Sequence, residues 1–324
     1  MLKHVAALLA GLLAFAAMAA GAAAADYPNR PVAIVVGFPP GGASDIMARI
    51  LTAKLGSVLG QPFIVDNRPG AGGNVGGEFV AHAAPDGYTL LLGNNAILAT
   101  NVSLYSKIGF DPEKDFAPIS LIGTQANVLV VNNDVKAHSL AGLIALAKAN
   151  PGKLNFASSG YGLAAHLAGE LFKAQAHIDI VHVPYKGSAP ALEDVIAGQD
   201  QMMFATTSGV MGFLKNGQVR ALAVTTLKRT PSLPDVPTMD EAGLPGFEAT
   251  TWHGLVAPAG TPPQIIATLN KAIGETLNDP DIEHKLANLG IDIAPDTPAQ
   301  FAAYIKAEIP KWAAVIKASG AKMQ

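Results

Sequence analysis

Short, nearly continuous apolar runs alternate along this chain with longer stretches whose apolar positions recur at helical spacing. Ile34–Val36 lies in such a run, which begins after Pro31 and stops at the Pro/Gly cluster Pro39–Gly42, as a buried strand does. From Asp45 to Leu59 the apolar residues Ile46, Ile50, Leu51, Leu55, Val58 and Leu59 recur at helical spacing, and Gly60-Gln61-Pro62 ends the segment. The alternation predicts further strands at Phe63–Val65, Thr89–Leu92, Leu154–Ala157, Ile180–Val183, Gln201–Ala205 and Leu222–Thr225. It predicts helices at Ser139–Ala149, Leu163–Gln175, Ala191–Ala197, Pro263–Leu277, Ile282–Leu289 and from Pro298 onward. Strands alternating with helices make an α/β protein with parallel sheets wrapped by helices.

Two extended stretches, Pro118–Asn132 and Phe247–Pro258, have no helix between their neighbours. They read as two crossover strands joining two α/β lobes. The chain then leaves the first lobe near Asn127 and returns near Thr251, so that lobe one is 26–127 plus 251–324 and lobe two is 128–250. One large α/β domain with two irregular strands is the competing arrangement.

The N-terminus changes the picture by placing the chain. Lys3 and His4 precede the apolar run Val5–Ala20, which ends in small residues before Asp26. This is the pattern of a signal peptide over residues 1–25, cleaved before Asp26. A membrane anchor fits less well, because the run is Ala-rich and shorter than the roughly 20 strongly apolar residues a span needs. Removing Lys3 takes the formal charge from −3 to −4, too mild a value to point to nucleic acid. The chain has no cysteine, which excludes a lipid-modified N-terminal cysteine, thiol catalysis and cysteine-ligated metal. The mature protein is expected to be free in the periplasm and monomeric.

The segment Gly37-Phe38-Pro39-Pro40-Gly41-Gly42-Ala43-Ser44-Asp45 joins a buried strand to a helix, with Ser44 or Asp45 expected to cap it. Unpaired N–H groups at a helix start, with the helix dipole behind them, hold anions. An ordinary strand-to-helix turn has the same look. Ser158-Ser159-Gly160-Tyr161-Gly162 repeats the build at the end of another strand and leads into a helix carrying His166 and Glu170. Pro184-Tyr185-Lys186-Gly187-Ser188 is a weaker third case. The first two loops contain no Lys or Arg, which favours a carboxylate held by dipoles and hydroxyls over a phosphate.

Catalytic templates fit poorly. Gly70-Ala71-Gly72-Gly73-Asn74-Val75 has Val75 where a dinucleotide fingerprint needs Gly or Ala, and it reads as a loop. No G-x-S-x-G elbow occurs, and no pair of histidines has H-E-x-x-H spacing. No cofactor or metal is expected. His177 and His182 read as structural, while His166 faces either the cleft or the interior. The rival functions are an exported hydrolase using Ser158 or Ser159 with His166, and a ligand receptor for a two-component sensor.

These motifs resemble those of the tripartite tricarboxylate transporter substrate-binding receptors, the Bug proteins. The resemblance runs from Tyr27-Pro28-Asn29-Arg30-Pro31 and the Phe38–Asp45 loop through Asn67–Asn74, Ala84–Thr89 and His166–Glu170. It continues at Val183–Gly187, Leu233–Thr238 and Ala257–Pro262. It implies a type II-like periplasmic binding fold, a Venus flytrap that passes a carboxylate to a permease with large and small membrane subunits. It also implies ligand contacts at Phe38, Gly41, Gly42, Ala43, Ser44, Asp45, Ser158, Ser159 and Gly160, with weaker carry-overs at Asn94, Asn95 and Asn127. One departure stands out: where the family commonly places Asp, this chain has Ala205, followed by Thr206. Loss of an acid there favours a dicarboxylate or an aromatic or otherwise uncharged tail over an amino acid. Drift at a position that never meets ligand is the plainer reading.

Overall fold

The computed structural model describes residues 27–323; the expected signal peptide lies outside them. In the first lobe, β1 (Val32–Val36) carries a VAIVV run and leads into α1 (Ala43–Leu59), which ends on Gly60 in the left-handed conformation. β2 (Phe63–Asn67), α2 (Asn74–Ala81) and β3 (Thr89–Asn94) follow. A π-helical turn, Ala96–Thr100, then runs into the short α3 (Asn101–Leu104). β4 (Phe116–Gln125) closes this half, and after Ala126 the chain enters β5 (Asn127–Asn132), the first strand of a different sheet.

The second lobe contains α4 (Leu140–Ala149), β6 (Asn155–Ser158), α5 (Ala164–Ala176), β7 (Val181–Pro184) and α6 (Ser188–Ile196). It ends with β8 (Met202–Thr206), α7 (Thr207–Lys215) and β9 (Val219–Val224). The chain returns through β10 (Thr251–Pro258) and closes with α8 (Pro263–Leu277), α9 (Pro280–Asn288), β11 (Ile291–Ile293) and α10 (Pro298–Ser319).

Two sheets result, with strand orders β11-β4-β10-β3-β1-β2 and β7-β6-β8-β5-β9. β1 pairs in parallel with β2 and β3, and β6 with β7 and β8. The strands that carry the chain between sheets, β4, β5 and β10, all pair antiparallel. The protein is therefore a two-lobed α/β fold, and the two extended stretches are its crossovers. Asn127 ties them together: its amide donates to Ala249 O at 3.1 Å, and its N–H donates to Thr225 Oγ1 at 3.0 Å.

The last helix fastens one lobe to the other. Phe301, Ile305, Trp312, Val315 and Ile316 of α10 belong to one buried cluster that includes Val35 and Ile97 of lobe one and Phe156 and Phe172 of lobe two. Phe301 lies so close to β10 that a Cβ on Gly254 would fall 2.1 Å from its ring, so that position needs glycine. Beside it, buried Glu308 accepts from the indole N–H of Trp252 at 3.0 Å and of Trp312 at 2.8 Å.

Two local expectations are corrected, and three helices carry no clear signal in the sequence. The Gly70–Val75 segment is not a loop: a 3₁₀ turn, Ala71–Gly73, leads directly into α2. Its glycines permit close packing, since a Cβ on Gly73 would lie 2.7 Å from Ile97 Cδ1. Ser44 and Asp45 do not cap α1, because both lie inside its first turn; Gly42 is the cap residue and offers no side chain. Helices α2, α3 and α7, too short or too Gly-rich to show a clear period, were not predicted at all.

Candidate functional site

In open α/β sheets ligands bind beyond the carboxyl ends of parallel strands. At those ends of β1, β6, β7 and β8 begin α1, α5, α6 and α7, and none of these four helices has a side-chain cap. The contrast with helices elsewhere is informative. Ser139 caps α4, Asp279 caps α9, and Thr297 with Gln300 forms a capping box on α10. Helix α8, which follows Pro262, also lacks a side-chain cap, and Thr207 N–H of α7 donates to Ala126 O at 3.1 Å, so the contrast holds for α1, α5 and α6 against α4, α9 and α10.

The lobe-one loop is held from behind. Asp45 accepts from Gly41 N–H at 2.9 Å, Arg49 Nε at 2.9 Å and Asn67 Nδ2 at 3.0 Å. The Arg49 guanidinium holds its carboxyl well below the usual range, at about 2, with the Gly41 and Asn67 bonds adding to the effect. Asn67 also donates to Phe38 O at 3.1 Å, fixing the loop's other limb. Asp45 is thus spent on loop geometry, and Gly41 N–H with it. Gly42, Ala43 and Ser44 keep N–H groups with no acceptor among the described residues, and Gly42 and Ala43 are exposed.

Ser44 is buried, with Oγ 3.1 Å from His253 Nε2 across the sheet on β10. Burial holds the His253 pKa down, to about 4, so the ring is neutral at pH 7. Asn94 stands opposite His253 in the β3–β10 register, and its Oδ1 accepts from Ile97 N–H at 3.2 Å. Asn95, also buried, begins the helical turn that follows. Phe38 is half-buried and lies against Gly73, where an added Cβ would come within 3.2 Å of its ring.

The lobe-two loop is built on two histidines. Ser158 is fully buried; its Oγ lies 2.6 Å from His182 Nε2 and accepts from Gly160 N–H at 3.2 Å. His166 Nδ1 accepts from Gly162 N–H at 2.9 Å, and the His166 and His182 rings stack at 4.0 Å between centroids. Burial lowers His166 to about 4 and His182 to about 3, the neighbouring His166 adding to the latter. Tyr185 and Gly187 donate backbone N–H bonds to Ser158 O at 2.9 Å and Ser159 O at 3.0 Å, joining the third loop to the second. Ser159 and Gly160 remain half-exposed, with no side-chain bond from Ser159. A Ser-His pair is present, but Ser158 is inaccessible and His182 Nδ1 has no hydrogen-bond partner, so no acid orients it.

The two loops approach through a line of contacts. Phe38 meets Gly73, Gly73 meets Ile97, and α3 ends at Leu104, which lies against Gly162 so tightly that a Cβ there would fall 2.6 Å from Leu104 Cδ2. Ala205 is buried in the lobe-two core with Val128, Ala157 and Val210, and it also borders a recess between α6 and α7. Thr206 stands at the start of α7. Asn127 sits at the crossover with its amide engaged.

Reasoning from sequence singled out the two loops but missed what stabilises them. His253 lies 209 residues from Ser44, and no local signal connects them. His182 was within reach: in a β-α-β unit β6 and β7 are parallel neighbours, and the register Phe156↔His182 and Ser158↔Pro184 sets that ring beside Ser158.

Comparison with known proteins gives consistent matches. The family model of the tripartite tricarboxylate transporter family receptor matches residues 47–321. Protein BugT of Bordetella pertussis is 41% identical over 313 residues, covering 96% of both chains. Among solved structures, Rpa4515 of R. palustris with adipate is 38% identical, covers 92% of this chain and all of its own, and has a TM-score of 0.75. MatC of Rhodopseudomonas palustris with bound malate is 35% identical, covers 90% of this chain and all of its own, and has a TM-score of 0.70.

Proposed function

The chain belongs to the tripartite tricarboxylate transporter receptor family, and from that premise we propose that it captures a small carboxylate, a dicarboxylate or an aromatic acid, and hands it unchanged to the membrane permease subunits of such a transporter. The observation that carries this reading is the set of four uncapped helix starts at the carboxyl ends of β1, β6, β7 and β8. A carboxylate placed between them accepts N–H bonds from Gly42 to Ser44 on one lobe and hydrogen bonds from the Ser159 N–H and hydroxyl on the other, Gly160 N–H being held by Ser158 Oγ. Helix dipoles favour the negative charge by about 0.3–1 kcal/mol each. No Lys or Arg lies in the Phe38–Asp45 or Ser158–Gly162 loops, so the anion is held by dipoles and hydroxyls and not by a salt bridge, which suits reversible capture.

The roles divide. Asp45, Ser158 and His166 position loops; Gly42, Ala43, Ser44, Ser159 and Gly160 face the ligand; Phe38 walls the pocket, and Asn94 and Asn95 support its floor. The lobes are proposed as 26–127 plus 251–324 and 128–250, closing about the crossovers. The protein acts as a monomer in the periplasm, and no helix among the described residues is long and apolar enough to cross a membrane. Native mass spectrometry of protein purified from its source tests the reading. A co-purified mass of a carboxylic acid is expected; an amine, a sugar or a metal ion in its place overturns it.

A further inference from the structure

Lobe two contains a recess of ≈ 250 Å³ between α6 and α7, with its floor on β8. Leu192, Met203, Ala205 and Phe213 form its walls. Ser188, Ala189 and Glu193 of α6 are exposed and form the rim. The rim is continuous with the proposed carboxylate loop, because Gly187, the residue before Ser188, donates to Ser159 O at 3.0 Å. A cavity of about 150 Å³ with aliphatic and aromatic walls takes up benzene, so this one has room for a hydrocarbon tail.

We infer that the recess is a specificity subsite for the uncharged hydrocarbon tail of a monocarboxylate whose head is held at the Ser159–Gly160 turn. The inference rests on the carboxylate reading above. Three features set the tail's chemistry. The walls offer apolar surface, so each methylene buried there contributes about 0.8 kcal/mol, close to fourfold in affinity. Ala205 on the floor contributes a methyl group, where any longer side chain would fill the space. Glu193 on the rim sets a negative charge beside the entrance, which disfavours a second carboxylate. The same geometry makes Ala205 a specificity-determining residue for tail size and charge.

Hexanoate and adipate test this directly, since they share a six-carbon chain and differ in one terminal carboxylate. Isothermal titration of the full mature protein is expected to give hexanoate at least tenfold tighter binding than adipate, with acetate weaker than hexanoate by a similar factor. Ala189→Phe blocks the recess from an exposed rim position without touching the core. It is expected to weaken hexanoate at least tenfold and to change adipate less than threefold. Ala205→Asp should do the same where it folds. Adipate binding as tightly as hexanoate, or hexanoate indifferent to Ala189→Phe, overturns the subsite and leaves the carboxylate reading standing. Binding of none of these acids, nor of malate or benzoate, overturns both.

Discussion

Replacing His253 by Gln removes a titrating group that supports Ser44 from beneath. His253 is 4% exposed, and burial lowers its pKa from 6.5 to about 4. The folded protein therefore keeps the ring neutral at pH values where the unfolded chain binds a proton. The sign follows: this contribution is whole above pH 6.5 and is lost as pH falls toward 4. At pH 5.5 an unfolded imidazole is about nine-tenths protonated, and the difference between the two states costs about 1 kcal/mol relative to pH 7. His166 and His182, lowered to about 4 and about 3, add comparable amounts, for a total of roughly 3 kcal/mol across that interval. Urea unfolding of the wild type and of His253→Gln at both pH values isolates one share, because all other titrating groups cancel in the comparison. The variant should start less stable at pH 7 yet lose about 1 kcal/mol less on acidification. Parallel losses in the two proteins would show that His253 titrates normally in the fold and refute the burial argument.

Other substitutions separate stability from binding. Ser159→Ala should weaken carboxylate binding about tenfold by titration calorimetry and leave the melting temperature unchanged, since its half-exposed hydroxyl makes no hydrogen bond among the described residues. Glu308→Ala strands two buried indole N–H groups and leaves the Lys311 ammonium only its longer pairing with Glu248 at 3.8 Å, and should cost about 3–5 kcal/mol in urea unfolding. Gly162→Ala forces a Cβ to 2.6 Å from Leu104 at a φ of 72°, so a loss of about 1–3 kcal/mol and weaker ligand binding are expected from melting curves and titration.

The fold was largely legible because its signals are local. A VAIVV run between proline and glycine, and apolar spacing along Ala43–Leu59, each name an element without help from the rest of the chain. The two crossovers were visible as extended stretches lacking a helix. The loops of the candidate site were legible for the same reason, as glycine- and serine-rich turns after buried strands. What supports those loops was not, because it depends on contacts between distant segments: Ser44 with His253, Asp45 with Asn67, Ser158 with His182. Asp45 is the instructive case. Its position at a helix start suggested a cap or a ligand contact, yet Arg49 one turn later and Asn67 on β2 commit its carboxylate to the loop itself. Ala205 shows the reverse, a residue noticed only for what it lacked, which acquires a physical role once the recess beside it is seen.

The central claim is that uncapped helix starts hold a carboxylate and that the protein does no chemistry on it. Titration of the mature protein with hexanoate, adipate, malate and benzoate, each beside its neutral methyl ester, tests this most directly. At least one acid should bind in the micromolar range or tighter, its ester should bind at least a hundredfold more weakly, and both should be recovered unchanged. Equal binding of acid and ester, or release of acid from the ester during incubation, would contradict the account.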